Sequence, residues 1–420
     1  MIRAALDDSS APLFRKMLAA RLGYWPPRHV VIVRLSALGD VVHTLPLAAT
    51  LRRYFPATRL SWVVQGSLAP LLTDNPDLDR VVPVDLRTWK SARGLSRAWA
   101  VRDAFRRDRP DLALDAQGLF KSAAVARLTR ARVCVGLARQ LRREPLSSCL
   151  SSLTISPPAA ELQIVRPRLA PLTVPCDGEA EAREDTASGA STRYLHGLHS
   201  VQRHLALAWG LGAWPPMITY ALPRDAAAEA AIDTFLGSLA GAEARVGINV
   251  GGAWPTKIWP PAAVARVIEE IVERRLGVPV LVWGPKERPL VDAVLAGVTR
   301  AVRRGAAVAP ATNLAELIAL LRRLDVLISG DTGPLHLAVA AGTPTVGLFG
   351  PTAARTSGPF DDSCRTPGRR SRHRTISVDL PCGPCYRRDC DRWICMPAIS
   401  PELVVAELRA ALDRSDTQAI

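Results

Sequence analysis

Asp331, Thr332, Gly333 and His336 lie within one short stretch, Val326-Leu-Ile-Ser-Gly-Asp-Thr-Gly-Pro-Leu-His336. An apolar run ending in Gly-Asp-Thr-Gly, then a proline and a helical pattern, predicts a buried strand, a tight turn and a helix that opens at the turn. The turn then sits beyond the C-terminal end of a strand, where open α/β sheets hold ligands. The unpaired N–H groups and positive end of the helix dipole favour an anion there. Residue types and spacing together predict a phosphate-sized site.

Three further strand ends carry chemistry. Val246-Gly-Ile-Asn-Val-Gly-Gly-Ala-Trp-Pro-Thr-Lys257 places two glycines after an apolar run and a lysine before the next helix. Lys257 and the Gly333 helix start would share the charge of a diphosphate; a solvated surface lysine is the other reading. Glu287, in Val282-Trp-Gly-Pro-Lys-Glu287, suits a ribose diol or the first turn of a helix. Asp40, in Val30-Val-Ile-Val-Arg-Leu-Ser-Ala-Leu-Gly-Asp40, could take a proton from a substrate hydroxyl as general base or cap the helix it opens. Asp115-Ala-Gln-Gly-Leu-Phe-Lys121, with Arg139, Arg142 and Arg143 shortly after, offers Gln117 and four cations to an anionic acceptor, although an arginine run also suits a solvated face.

Two blocks of alternating strand and helix must position these residues. The first predicts strands at 29–34, 60–64, 80–84 and 112–115 and a helix at 40–54. The second predicts strands at 246–250 and 278–283 and helices at 261–274, 289–295 and 314–324. Such alternation implies an α/β fold, two doubly wound parallel-sheet domains facing across a cleft. The expected boundaries are an N-terminal extension at 1–28, a first domain at 29–225, a second at 240–380, and a Cys-rich segment with a C-terminal helix at 381–420. Residues 177–192 are small, polar and acidic and are expected to be a disordered insertion; 365–374 reads as an arginine-rich loop. Residues 13–22 could form a basic amphipathic helix that touches a membrane or a plain surface helix.

The chain has 420 residues, 54 basic against 39 acidic, for a net charge of +15. This excess suggests an anionic partner, while the lack of interleaved aromatics argues against nucleic acid. Only five cations are lysines, and Lys121, Lys257 and Lys286 among them fall in predicted strand-to-helix connections. No apolar run approaches the ~18 residues of a membrane span and the start lacks a secretory pattern, so a cytoplasmic location is expected. Cys382, Cys385, Cys390 and Cys395 form a compact group. In a cytoplasmic chain that spacing suggests a structural metal more than disulfides, with packed or redox-sensitive thiols as the alternative.

Taken together, these motifs resemble glycosyltransferase family 9, the lipopolysaccharide heptosyltransferases. The resemblance runs from Val30 to Leu408 and rests on Arg34-Leu-Ser-Ala-Leu-Gly-Asp-Val-Val-His-Thr-Leu-Pro46, Asp115-Ala-Gln-Gly-Leu-Phe-Lys-Ser122 and Arg143-Glu-Pro145. It continues through Thr256-Lys-Ile-Trp-Pro260, Trp283-Gly284 and Ser329-Gly-Asp-Thr-Gly-Pro-Leu-His336. It implies a GT-B fold with the acceptor on the first domain and the nucleotide sugar on the second. It also implies inverting, cofactor-free and metal-independent transfer of heptose from ADP-L-glycero-D-manno-heptose to the Kdo-containing inner core, with peripheral contact at the cytoplasmic face of the inner membrane. On matching positions Asp40 is the base. Lys257, Thr332 and Gly333 hold the diphosphate, Glu287 the ribose, and Asp331 and His336 the donor side. The segments at Asp115 and Arg143 look like the enzyme adding the first heptose, and the cysteine group like members adding the second. Other readings are a family-9 transferase for another sugar or later acceptor, and a sugar-nucleotide epimerase or hydrolase of the same architecture.

Overall fold

Short runs of β-branched residues set the architecture. Val30, Val31, Ile32 and Val33 are fully buried, which only a strand covered on both faces allows. Burying each such side chain contributes roughly 1.5–3 kcal/mol. The computed structural model describes residues 11–85, 99–156, 172–175, 198–239, 244–361 and 371–413. They divide into two units, residues 11–156 with 198–223 and residues 172–175 with 224–413.

The first unit holds strands β1 (His29–Val33), β2 (Arg59–Gln65), β3 (Arg80–Val84), β4 (Leu112–Asp115), β5 (Val133–Leu137) and β6 (Leu153–Ile155). The second holds β7 (Leu172–Pro175), β8 (Arg245–Asn249), β9 (Val278–Val282), β10 (Ala307–Val308), β11 (Val326–Gly330), β12 (Thr345–Phe349) and β13 (Arg374–Asp379). The first sheet runs β3-β2-β1-β4-β5-β6 and the second β10-β9-β8-β11-β12-β13-β7, and every pairing is parallel. Each sheet therefore reverses its strand order once, between β1 and β4 and between β8 and β11. At such a point two connections leave in opposite directions and open a crevice at the C-terminal strand ends.

Expected and observed strands agree within a residue or so at each end. The expected helix at 40–54 is two helices, Leu38–Val42 and Leu45–Tyr54, because Pro46 suits a helix start and cannot continue one. The N-terminal helix Ala11–Leu22 is part of the first unit: it buries Phe14, Leu18 and Leu22 and packs on helix Ser200–Gly210. These three side chains thus pack on the protein, while Leu13 stays exposed. The C-terminal segment is likewise integral to the second unit, whose core includes Met396, Ile399, Val404, Val405 and Leu408. Residues 172–175, expected within the first domain, form β7 at the edge of the second sheet beside β13. The insertion at 177–192 and the part of the basic loop at 365–370 lie outside the described residues.

Arg142, expected to face an acceptor, is instead 1% exposed. Its guanidinium donates to Asp115 Oδ2 at 3.2 Å, Leu137 O at 2.5 Å, Ser147 Oγ at 3.3 Å and Ser151 Oγ at 2.6 Å. Asp115 Oδ1 meanwhile accepts the N–H groups of Gln117 and Gly118 at 3.1 Å. Arg142 therefore ties the turns after β4 and β5 together, and this corrects the acceptor reading of it. Removing one member of a buried, hydrogen-bonded pair strands the other charge, at a cost of about 3–5 kcal/mol. Arg142→Leu is accordingly expected to lower the thermal midpoint by several degrees, read by differential scanning calorimetry; an unchanged midpoint would contradict this structural role.

Candidate active site

In the second unit the strand-order reversal gathers the expected residues. Lys257 follows β8, and its ammonium donates to Asp331 Oδ2 at 2.8 Å and to Asp331 O at 3.0 Å, just beyond β11. The ammonium also lies over the Trp254 ring, 4.3 Å from its centroid. Two of its three N–H bonds are thereby directed at Asp331. Gly330 permits this approach, since a Cβ there would sit 2.8 Å from Lys257 O.

Asp331 is the hub. Its Oδ1 accepts from His336 Nε2 at 3.2 Å, and its Oδ2 accepts from Lys257 and from Ser357 Oγ at 3.3 Å. Burial by itself would raise the Asp331 carboxyl. The hydrogen bond from His336 and the charge of Lys257 outweigh it and hold the group well below the usual carboxylate range. Because both oxygens serve protein donors, Asp331 and His336 are arranged to set Lys257 in place.

Thr332 precedes helix Gly333–Ala341 without capping it. Its Oγ1 is taken up by Asn249 Nδ2 at 3.1 Å and Ser329 Oγ at 3.2 Å. The first N–H groups of that helix therefore keep no side-chain cap and point beyond the strand end. Pro334 sits at the second helical position.

Glu287 immediately precedes helix Arg288–Ala296 and turns back, accepting from Gly284 N through Oε2 at 2.6 Å. It lies so close over Gly251 that a Cβ there would fall 1.8–2.0 Å from the carboxylate. The lack of a side chain at Gly251 is thus what joins Glu287 to the loop carrying Lys257. Glu287 Oε1 has no protein partner among the described residues.

The Cys-rich segment forms a wall beside this group. Thr256 Oγ1 donates to Arg387 O at 2.6 Å, Trp393 Nε1 to Thr256 O at 3.0 Å, and Arg388 lies over Trp254. The four cysteines are free thiols, and burial pushes Cys395 up to about 11. Among the described residues no three His, Cys, Asp or Glu side chains come close enough to hold a metal ion. Packing and hydrogen bonds hold the segment there. A cavity of about 550 Å³ lies at the other ends of these strands, lined by Asp325, Thr343 and Arg374 among others, and touches none of the groups above.

In the first unit Asp40 is the third residue of helix Leu38–Val42. Its Oδ2 accepts from Ala37 N at 3.2 Å and pairs with Arg34 Nη2 at 2.6 Å. Oδ2 thus closes the helix start from the third helical position, with Ala37 rather than Asp40 as the N-cap, and Oδ1 has no protein partner among the described residues. The side chain is 40% exposed. Burial would raise its carboxyl, but Arg34 first, then His204, the Ala37 N–H and Arg203, bring it below the ordinary value. Asp40 is therefore ionised at neutral pH.

At the neighbouring strand end Gln117 Oε1 accepts from Leu35 N at 2.9 Å. Lys121 is half-buried with no carboxylate in ion-pair distance among the described residues, and burial lowers its pKa. Arg139 and Arg143 are exposed. Motif spacing overlooked Arg34 as a partner of Asp40, Asn249 as the tie between β8 and Thr332, and His204, which meets Arg34 from 170 positions away. Arg34 stood in the Asp40 motif and could have been found there; His204 carried no signal.

Stability should report the Asp331 hub. A carboxyl depressed by folding contributes stability above its unfolded pKa near 3.8, and that contribution is lost as pH falls toward the folded value. Urea unfolding at pH 5 and pH 3 is expected to show a smaller acid loss for Asp331→Asn than for wild type; equal losses would contradict the depressed carboxyl.

A model of glycosyltransferase family 9 (heptosyltransferase) matches residues 98–392. Lipopolysaccharide heptosyltransferase 1 of Pseudomonas aeruginosa is 29% identical over 414 residues, covering 92% of this chain and 99% of the relative. Among solved structures, a family 9 glycosyltransferase from Veillonella parvula superposes with a TM-score of 0.68 at 19% identity, over 92% and 98% of the two chains. The E. coli heptosyltransferase WaaC with ADP gives 0.61 at 23% identity, over 91% and 99%. These structural likenesses establish the two-unit GT-B architecture.

Proposed function

The chain belongs to glycosyltransferase family 9, and from that premise we propose that it moves heptose from an ADP-activated donor to the Kdo-bearing inner core of lipopolysaccharide, with inversion. The observation that carries this reading is the divided carboxylate of Asp40: one oxygen is fixed by Arg34 and Ala37 N, and the other is open and ionised. A fixed base beside an acceptor hydroxyl suits single, in-line displacement. The acceptor oxygen bonds to the anomeric carbon as the bond to ADP breaks, and Asp40 Oδ1 takes the hydroxyl proton. One displacement inverts the centre.

The second unit supplies the leaving-group side of this reading. Lys257 directs its remaining N–H to the diphosphate, and the uncapped start of helix Gly333–Ala341 faces the same charge. Glu287 offers its unpartnered Oε1 to the ribose diol. Asp331 and His336 hold Lys257 instead of touching the donor. Lys121, Arg139 and Arg143 suit a carboxylated and phosphorylated acceptor, with Gln117 shaping the turn beside them. None of these roles calls on a metal or cofactor. No helix among the described residues is long and apolar enough to cross a membrane, so the acceptor lipid is met at the surface of the bilayer in this reading.

Asp40→Asn is expected to lower turnover of ADP-heptose with a Kdo-lipid A acceptor by roughly 10²–10⁴-fold, while calorimetric ADP affinity stays at the wild-type value. Near-normal turnover would remove Asp40 as base. Lys257→Ala is expected to weaken ADP binding at least about tenfold, the loss of one charge-assisted contact; unchanged ADP affinity would remove Lys257 from the diphosphate site.

A further inference from the structure

We propose that His204 and Arg34 are positioning residues for Asp40: a neutral His204, locked in one tautomer, holds the Arg34 guanidinium so that it grips one oxygen of the base and leaves the other free. The proposal rests on the reading of Asp40 as base and adds to it the device that aims the carboxylate.

The tautomer follows from the partners. His204 Nδ1 lies 3.0 Å from His43 O and 3.2 Å from Thr44 Oγ1. A carbonyl can only accept, so Nδ1 carries the proton. His204 Nε2 lies 3.4 Å from Arg34 Nη1, which can only donate, so Nε2 accepts and the ring is neutral. Burial, with the charge of Arg34, brings the imidazole down to about 3, in agreement with this assignment. Arg34 is 6% exposed, and its contacts are all made at the tips: Nη1 to Ala116 O at 2.8 Å and to His204, Nη2 to Asp40. Its Nε has no hydrogen-bond partner among the described residues. The orientation of the fork is therefore set by Ala116 and His204 on one side and used on Asp40 on the other.

The device joins three separate pieces of chain in the first unit. Arg34, the Ala37 N–H and Asp40 come from the connection after β1, Ala116 from the end of β4, and His204 with Arg203 from helix Ser200–Gly210. His43 and Thr44 follow helix Leu38–Val42, and the rings of His43 and His199 meet edge to face at 5.3 Å. A protonated imidazole at 204 would place a cation against Arg34, and an apolar side chain would leave Nη1 held by Ala116 O alone.

Two measurements on the full chain test this. Histidine ¹⁵N NMR, with His204 assigned by its loss in His204→Asn, is expected to show a neutral ring protonated on Nδ1 at pH 7 and still neutral at pH 5. A ring protonated on Nε2, or an imidazolium at pH 7, would overturn the proposal. This result is independent of whether wild type uses Kdo-lipid A, so failure of the functional reading and failure of the device are distinguishable. With that acceptor, His204→Leu is expected to lower kcat roughly 10- to 100-fold, the penalty of a misplaced catalytic group, with KM for ADP-heptose within about twofold and the acid limb of kcat moved to higher pH. His204→Asn, whose amide both donates and accepts, is expected to restore most of kcat and the wild-type limb. Should His204→Leu not fold, Arg34→Lys, which keeps the charge but loses the fork, is expected to give the same loss and shift. Wild-type kcat and pH profile in either variant would overturn the proposal.

Discussion

The candidate site of the second unit is built around one buried contact, the pairing of Lys257 with Asp331. The side chains are 13% and 7% exposed, so both groups have left water at considerable cost, and only close geometry with added hydrogen bonds offsets it. His336 and Ser357 supply those bonds to the carboxylate. The outcome is a lysine whose rotamers are fixed before any ligand arrives. A free lysine side chain carries about 2 kcal/mol of rotamer entropy; folding has already removed it here, so an anion bound in the proposed way would not have to order the side chain.

Three carboxylates share this logic and divide by how many oxygens they keep. Asp331 gives both to the protein and is a support. Asp40 and Glu287 each give one oxygen to a backbone N–H, from Ala37 and Gly284, and keep the other. An exposed carboxylate normally samples several rotamers, whereas a backbone bond and a short connection hold these two. The same economy explains the glycines that matter most: Gly330 and Gly251 let a backbone carbonyl and a carboxylate come closer than a methyl group would allow.

Much of this was legible in the sequence because strand-end motifs are local. The apolar run into Gly-Asp-Thr-Gly and the lysine after Gly251-Gly252 fall where a parallel sheet must present them, and sheet order then brings Lys257 and Asp331 together. Contacts made across the fold were not legible. Arg142 looked like a surface cation because its sequence neighbours are arginines, yet β5 and the turns around Ser147 and Ser151 enclose it. His204 belongs to a helix with no motif and meets Arg34 only because that helix packs on the first sheet. The break in the helix at 40–54 could have been read from Pro46. The close spacing of Cys382, Cys385, Cys390 and Cys395 in the sequence says nothing of whether their Sγ atoms converge.

The most direct test of the central claim, that this chain transfers heptose to a Kdo-bearing lipid with ADP as leaving group, is ADP release by the wild-type protein from ADP-heptose with and without Kdo-lipid A. The account predicts release that depends on the acceptor. Release at the same rate without acceptor, or none with it, would contradict the account.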